Sequence, residues 1–295
     1  MTILVIGKQG QLAQSLAALG RADVISAGRP EVDLTDAASI ARALDKVRPK
    51  AVINAAAYTF VDKAESEAAT SFAVNRDGPV ELARACAARG ILLVHISTDM
   101  VFDGRKASAY VPSDVPAPLG VYGQSKLEGE RAVAEACPHH LVVRVSWVFS
   151  EFAHNFVRTM LTLAQSREEV TVVNDQTGHP TYCPDLAAGL LKMADIAARP
   201  GFAGWGTYHL AGTEATNRAS MAEAIFAVSR ALGGPAAQVK GVATSQYKTP
   251  AVRPLNARLD PDAALETFGI DMPDWRAGLE RSVRVLLDEM AKAGG

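Results

Sequence analysis

The sequence has few cysteines, few aromatic residues and almost no net charge. Its 295 residues include three cysteines, Cys86, Cys137 and Cys183, too few and too scattered for a disulfide framework or a CxxC metal site. Unpaired cysteines are typical of a reducing compartment. Lysine and arginine number 30 against 32 acidic residues, so no basic surplus is available to bind nucleic acid phosphates. Aromatic residues make up 6%, which also argues against a base-stacking surface.

Long apolar runs are missing as well. No stretch approaches the roughly 18 consecutive apolar residues that a membrane span needs. The segment from Met1 to Gly7 has no basic start and only a short apolar run, which favours a strand over a signal peptide. We therefore expect a cytoplasmic protein that binds neither nucleic acid nor a membrane. The length of 295 residues suits one large domain or two modest ones, and 48% hydrophobic residues are ordinary for a globular protein.

Short apolar runs alternate with alanine-rich helical stretches through the first half of the chain. The predicted strands are residues 3–6, 24–26, 51–54, 91–96 and 141–145, and the predicted helices are residues 11–19, 37–47, 65–75, 80–89 and 124–136. Strands that are apolar throughout and separated by helices indicate a parallel sheet with helices on both faces. Right-handed crossovers between such strands predict an α/β fold with a doubly wound parallel sheet of the Rossmann type.

The pattern changes after about residue 150, where segments become longer and richer in glycine, proline and threonine. A helix at residues 185–197 and a strand at residues 207–210 are expected to return to the sheet. The fold class is therefore a Rossmann sheet with a second, smaller carboxyl-terminal lobe that binds substrate. Residues 1–150 and 182–212 are assigned to the Rossmann domain, and residues 151–181 and 213–295 to the smaller lobe.

A glycine-rich loop from Gly7 to Ala13 follows the first strand and opens the first helix, with the pattern G-x-x-G-x-x-A. The glycines allow a tight turn, and the helix amino terminus then offers free N–H groups to a pyrophosphate. This pattern predicts a dinucleotide site; the alternative is a tight turn in a domain that binds no nucleotide. Arg29 follows the second strand where an acid would select NAD, which favours NADPH and leaves NADH possible. Asp33 and Leu34 are placed to flank the adenine.

Tyr122 and Lys126 lie four residues apart at the start of a predicted helix, so their side chains share one face. A neighbouring ammonium lowers the pKa of a phenol, which lets the tyrosine deliver a proton near neutral pH. Thr98 lies at the carboxyl end of a buried strand, the edge at which doubly wound sheets bind ligands. Its hydroxyl can reach the same carbonyl oxygen that Tyr122 would protonate. The alternative is a surface tyrosine–lysine pair without a chemical role.

These motifs resemble the extended short-chain dehydrogenase/reductases and, more narrowly, the dTDP-4-dehydrorhamnose reductase family. The resemblance spans residues 1 to about 260 and includes the glycine loop, Ser97–Asp99 and Tyr122–Glu130. The other matching stretches are Ala55–Thr59, Val61–Glu65, Val101–Gly104, Ser146–Val148, Asn155–Phe156, Asp175–Thr181 and Arg253–Pro254. One departure is Met100, which stands where the family usually has a tyrosine, so one sugar contact and the identity of the keto-sugar are left open.

The resemblance implies that NADPH or NADH reduces the 4-keto group of a dTDP-4-dehydro-6-deoxyhexose, giving dTDP-L-rhamnose or a close relative. The implied catalytic residues are Thr98, Tyr122 and Lys126, with Tyr122 as the proton donor. The cofactor contacts combine those expected from the loop and Arg29 with those that the resemblance implies. They are Gly7, Gly10, Gln11, Leu12, Arg29, Asp33, Leu34, Ala57, Tyr58, Thr59, Tyr122 and Lys126. The implied substrate contacts are Thr98, Asp99 and Trp147, although a tryptophan near a strand end can also belong to the core.

Two other functions remain open: another nucleotide-sugar epimerase or reductase of the same family, and a non-catalytic NADP-binding regulatory subunit. No spacing of His, Cys, Asp and Glu predicts a metal site. Some members of the family carry magnesium at a dimer contact, so a need for Mg²⁺ and a homodimeric state are left open. His95 lies on a buried strand, and we expect a core histidine with its hydrogen bonds satisfied. The preference for NADH or NADPH and the stereochemistry at C4 are also open.

Overall fold

The computed structural model describes residues 1–294. The strands are β1 Ile3–Ile6, β2 Val24–Ala27, β3 Ala51–Asn54, β4 Leu92–Thr98, β5 His140–Val145, β6 Val148–Phe149, β7 Glu169–Val173, β8 Thr177–Gly178, β9 Thr181–Tyr182, β10 Gly206–Leu210, β11 Thr216–Asn217, β12 Gln238–Val242 and β13 Asn256–Ala257. The α-helices are α1 Gln11–Ala18, α2 Ala37–Val47, α3 Val61–Ala64, α4 Ala68–Phe72, α5 Gly78–Ala87, α6 Val121–Ala136, α7 Phe156–Ala164, α8 Cys183–Ala197, α9 Arg218–Ala231, α10 Asp262–Phe268 and α11 Trp275–Gly294.

The central sheet has the strand order β10-β5-β4-β3-β1-β2, and all neighbouring strands in it are parallel. The chain passes from β1 to β2 on one side and then returns to β3 on the other side of β1. The loops after β1 and β3 therefore diverge at the carboxyl edge of the sheet, where doubly wound folds bind their ligands. The predicted α/β class and doubly wound parallel sheet are confirmed.

Alternate residues of the strands face opposite layers of helices. Ile3 and Val5 of β1 pack with residues of α1 and α8, whereas Leu4 and Ile6 pack with residues of α2 and α5. Both faces of the strand are thus removed from water, which is why the sequence of β1 is apolar at every position. The same burial on both faces extends through β3.

A further apolar core is built from the second half of the chain. It contains Phe149, Val157 of α7, Ile225 of α9, and Trp275 and Leu279 of α11. Strand β12 pairs in parallel with β7 beside this core. The proposed boundaries of the smaller lobe, at residues 150, 182 and 212, stay a prediction.

The helix predicted over residues 65–75 is wrong. Helix α3 ends at Ala64, α4 begins at Ala68, and a π-helical turn covers Ala73–Asp77 before α5. The π turn places the buried side chain of Asn75 where it donates to the Tyr58 carbonyl oxygen at 3.0 Å and to Ser125 Oγ at 3.1 Å. The periodic sequence pattern does not reveal this widened turn. The turn occurs together with the hydrogen bonds of the buried Asn75.

Two expectations from composition can be compared with residues 1–294. The three cysteines are all buried and none forms a disulfide. Within this range, no helix is long and apolar enough to cross a bilayer.

Candidate active site

The loop after β1 brings two backbone segments together at the sheet edge. Gly7 has a φ of 126°, and a Cβ built on it would lie 3.3 Å from the carbonyl carbon of Ala55, in the loop after β3. A side chain would be strained in this conformation, so glycine allows the close approach. Gly10 is the N-cap of α1 and supplies no side-chain cap, and the first turn of that helix carries no acid. The free N–H groups of α1 therefore suit an anion such as a pyrophosphate.

The residues expected at the adenosine end lie after β2. Arg29 is exposed and makes no ion pair among the described residues 1–294. Asp33 accepts hydrogen bonds from the backbone N–H and the hydroxyl of Thr35, which lower its pKa, and the charge of Arg29 lowers it further. Leu34 is buried, and a Cβ on Gly78 would lie 2.7 Å from it. Arg29 is thus a cation without an ion-pair partner among the described residues, near the Asp33 carboxylate, which Thr35 holds by two hydrogen bonds.

The loop after β3 is held by the π turn. Asn75 Oδ1 accepts a hydrogen bond from the backbone N–H of Tyr58 at 2.8 Å, in addition to the bond that Asn75 donates to the Tyr58 carbonyl. The Tyr58 hydroxyl donates to Glu67 Oε2 at 2.6 Å, and this bond raises the pKa of Tyr58 to about 12. Ala57 is partly buried and Thr59 is exposed. The loop therefore presents a fixed backbone at the sheet edge.

Thr98 and Asp99 end β4 and begin a short 3₁₀ helix. The Thr98 hydroxyl donates to Asp99 Oδ1 at 2.8 Å and accepts from the backbone N–H of Met100 at 3.2 Å. Ser146 donates to Asp99 Oδ2 at 2.9 Å. Burial raises the pKa of Asp99, and the bonds from Thr98 and Ser146 oppose that rise. The carboxylate thus fixes the rotamer of the Thr98 hydroxyl.

Helix α6 sits directly on the backbone of its neighbours at two glycines. A Cβ on Gly123 would lie 2.2 Å from the carbonyl oxygen of Met100, and one on Gly129 would lie 2.0 Å from that of Asn75. No other residue type fits at these points without displacing the helix. This packing brings Tyr122 near Thr98 and Asp99, both of which influence its pKa.

The pKa of Tyr122 differs from the expectation. Burial raises it to about 12, the charge of Asp99 adds to the increase, and the interaction with Thr98 reduces it. The prediction that Lys126 lowers this pKa is wrong for the protein alone, because burial and the nearby carboxylate dominate. Tyr122 is therefore a neutral phenol throughout the physiological pH range.

Lys126 lies one turn further along α6 and is buried. Its ammonium donates to the Ile96 carbonyl oxygen at 2.7 Å. Burial lowers the pKa of Lys126 to about 8, and the charge of Glu130 partly offsets this effect. Glu130 is itself held by the buried guanidinium of Arg144, with a shortest contact of 2.7 Å. Because Lys126 and Tyr122 are four residues apart in a helix, their side chains lie on the same side of α6.

The sequence analysis missed Arg218, which packs on Trp147. Trp147 has a φ of 43°, and its ring packs on Gly178, where a Cβ would lie 2.5 Å from Cε2. The guanidinium of Arg218, at the start of α9, lies 3.7 Å from the centre of that ring. Burial lowers the pKa of Arg218 to about 10, and the charge of Asp99 opposes this. No motif surrounds Arg218 in the sequence, so only its place at a helix start could have drawn attention to it.

Comparison with known proteins gives the family. The sequence model described as "RmlD substrate binding domain" matches residues 1–287. The dTDP-4-dehydrorhamnose reductase of Sinorhizobium fredii is 42% identical over 292 residues, which cover 98% of this chain and 99% of the relative. That of Burkholderia thailandensis is 43% identical over 300 residues, covering 98% and 100%. The chain belongs to the dTDP-4-dehydrorhamnose reductase family.

Solved structures of the family have the same fold. A dTDP-4-dehydrorhamnose reductase from Clostridium acetobutylicum matches with a TM-score of 0.90 at 31% identity, covering 97% of this chain and 99% of that one. One from Bacillus anthracis, in complex with NADP, matches with a TM-score of 0.87 at 33% identity, covering 95% and 98%. The family resemblance stated from the motifs is confirmed.

The structure of this family member brings Thr98, Tyr122 and Lys126 together around the carboxyl end of β4. Asp99 lies beside them and accepts a hydrogen bond from Thr98. The ring of Trp147 contacts Arg218, whose charge acts on Asp99. Arg29 lies apart from them, after the edge strand β2.

Among residues 1–294, no group of three His, Cys, Asp or Glu side chains could hold a metal ion. The expectation for His95 is wrong at one atom, because Nδ1 contacts Asn54 at 3.1 Å while Nε2 has no partner.

Proposed function

We propose that this protein reduces the 4-keto group of a dTDP-4-dehydro-6-deoxyhexose, with dTDP-4-dehydro-L-rhamnose as the substrate and dTDP-L-rhamnose as the product. The observation that carries the proposal is the meeting of Thr98, Tyr122 and Lys126 at the sheet edge beside the glycine loop. The family membership supports it, since relatives up to 43% identical are dTDP-4-dehydrorhamnose reductases. The NADP in the Bacillus anthracis relative supports the choice of cofactor.

NADPH would supply the hydride, and the residues present suit it. The free N–H groups of Gly10, Gln11 and Leu12 would bind the diphosphate at the amino terminus of α1. Arg29 would pair with the 2′-phosphate, which gives NADPH an advantage over NADH. Lys126 would donate to the nicotinamide ribose. The other proposed cofactor contacts are Gly7, Asp33, Leu34, Ala57, Tyr58, Thr59 and Tyr122.

Proton transfer in this proposal comes from Tyr122. With a pKa of about 12, the phenol is protonated at neutral pH, so it is ready to donate. The alkoxide that forms at C4 is more basic than a phenolate, so the transfer is favourable. The single proton of the Thr98 hydroxyl is donated to Asp99 in the free protein, and on sugar binding it would turn to the same substrate oxygen as a second hydrogen bond. A fixed donor of this kind contributes about 3 kcal/mol to the stabilisation of the transition state.

The substrate contacts proposed for Asp99 and Trp147 follow from their places beside Thr98 and Arg218. Met100 offers no hydroxyl at the position where the family usually has a tyrosine. The sugar is therefore held by fewer side-chain hydroxyls at this point than in a relative with the tyrosine. Location in the cytoplasm and assembly as a homodimer belong to the same proposal, and light scattering of the purified protein tests the second.

The decisive experiment is an NADPH-consumption assay with dTDP-4-dehydro-L-rhamnose and identification of the product by NMR. In Tyr122→Phe, we expect turnover to fall by about 100-fold or more, because the proton donor is lost, while the dissociation constant for NADPH stays unchanged. Tyr208→Phe is the matched control, since its hydroxyl donates to Gly204 away from the site. A near wild-type rate in Tyr122→Phe would refute the assigned role.

The assay also separates the rival functions. A protein that consumes no NADPH with this keto-sugar, and instead stably captures a partner enzyme, would be a regulatory subunit. NAD that copurifies and is not released during turnover would indicate an epimerase.

A further inference from the structure

Arg218 is a cation without a protein acceptor. Its guanidinium lies 3.7 Å from the Trp147 ring centre and 5.1 Å from that of Phe156. Within the described residues 1–294, its side chain makes no ion pair and donates no hydrogen bond. Its unpaired nitrogen atoms are accessible to solvent. A guanidinium carries five N–H donors, and all of those on Arg218 are free to bind a ligand. Arg144, which is more deeply buried than Arg218, is paired with Glu130.

The position of this cation is fixed by its surroundings. The backbone N–H of Arg218 donates to the Gln176 carbonyl at 3.3 Å, and Asn217 caps α9 by accepting from Ser220. The Trp147 ring, packed on Gly178, forms a flat support under the guanidinium. An arginine whose guanidinium already rests on an aromatic ring loses less freedom when a ligand binds, which favours ligand recognition.

The charges around Arg218 favour an anionic ligand. Arg218 lies over the ring of Trp147, and the neighbouring Ser146 donates to Asp99 at 2.9 Å, which places the guanidinium near the residues proposed to act on the sugar. Its positive charge opposes the rise that burial causes in the pKa of Asp99. Arg253 is the other cation whose charge acts on Arg218. Arg253 is neutralised by Asp62, with contacts of 2.7 and 2.9 Å, whereas the charge of Arg218 is not matched by a salt bridge. The charge of Asp99 also acts on Arg218, but the Asp99 oxygens accept from Thr98 and Ser146, so the N–H donors of Arg218 are left for an anionic ligand.

We propose that Arg218 binds the diphosphate of the nucleotide-sugar substrate and so sets the position of the sugar over Thr98 and Tyr122. This inference rests on the proposed function, in which the substrate is a dTDP-sugar. The diphosphate is the anionic part of such a molecule, whereas the thymine and the keto-sugar are neutral. A guanidinium fork matches two phosphate oxygens at once. Arg218 is thus a positioning and specificity residue, separate from the hydroxyls that contact the reacting carbonyl.

Isothermal titration of dTDP tests the inference without turnover. In Arg218→Met, we expect the dissociation constant of dTDP to rise about 10- to 100-fold, the effect of losing hydrogen bonds to a charged group. Arg218→Lys keeps the charge but not the fork, so its loss is smaller. Arg230→Gln is the matched control, because Arg230 is an exposed arginine of the same helix. The dissociation constant of NADPH is expected to stay unchanged in all three variants, which also reports that they are folded.

Steady-state assays then separate positioning from a general structural role. We expect Arg218→Met to raise the KM of the keto-sugar nucleotide more than it lowers kcat. Unchanged dTDP binding in Arg218→Met would overturn the inference, whether or not the KM rises, because a KM effect alone would place Arg218 on the sugar. If the wild type binds dTDP through Arg218 but reduces no keto-sugar, the proposed function fails and the diphosphate site stands. If the wild type reduces the sugar and Arg218→Met binds dTDP normally, the proposed function stands and the diphosphate role of Arg218 fails.

Discussion

The buried ammonium of Lys126 should make the stability of this protein depend on pH in a way that one substitution removes. The pKa of Lys126 is about 8 in the folded protein, against 10.5 for a lysine in water. Between these values the unfolded chain binds a proton that the folded protein has released. The free energy of unfolding therefore rises with pH in this window.

The size of the effect follows from the two pKa values. One proton released near pH 8 instead of near pH 10.5 adds about 2 kcal/mol to the free energy of unfolding between pH 7 and pH 9.5. Other buried groups act in the opposite direction, since burial raises the pKa of the Cys183 thiol to about 12. Those groups are present in wild type and variant alike, so the difference between the two proteins isolates Lys126.

The assay is urea unfolding of the wild type and Lys126→Met at pH 7 and pH 9.5. We expect the wild type to gain about 2 kcal/mol relative to the variant over this range. Lys192→Met is the matched control, because Lys192 also donates to a carbonyl oxygen, that of Gly269 at 2.6 Å, but is exposed. Its pH profile should follow that of the wild type. Equal pH profiles for wild type and Lys126→Met would refute the reasoning.

Three further predictions follow from the structure. In Gly123→Ala, the new Cβ would lie 2.2 Å from the Met100 carbonyl oxygen, so helix α6 must move and kcat should fall on the order of 100-fold while circular dichroism stays native. In Glu130→Gln, the buried charge of Arg144 loses its partner, and chemical denaturation should show a loss of about 3–5 kcal/mol; a loss below about 1 kcal/mol would contradict this. In Arg29→Ala, the KM for NADPH should rise about 10-fold with that for NADH unchanged, and an equal change for both would exclude a contact with the 2′-phosphate.

The fold was predictable from the sequence where burial on two faces leaves a simple pattern. The apolar run at Ile3–Ile6 and the run at Ala51–Asn54 match β1 and β3 residue for residue. The segment around Asn75 could not be predicted, because its π turn is associated with hydrogen bonds to the distant Tyr58 and Ser125. Periodicity reports on local burial and carries no information about such long-range contacts.

The sequence predicted that Thr98, Tyr122 and Lys126 lie near one another, but it did not predict the electrostatics around them. The spacing of Tyr122 and Lys126, and the place of Thr98 at a strand end, are local features that tertiary structure preserves. The pKa of Tyr122 depends instead on burial and on Asp99, which the sequence does not place near the phenol. Arg218 lies far from these motifs in the chain, and its proximity to Asp99 depends on how α9 packs.

The two glycine contacts of α6 have a consequence for how the family can diverge. At Gly123 and Gly129 the helix rests on carbonyl oxygens, so contacts between backbones set the height above the sheet of Tyr122, the proposed proton donor. Substitutions among the surrounding apolar side chains leave those two supports in place. A chain that retains both glycines can therefore replace much of the interior and still keep the hydroxyl of this tyrosine at the same position.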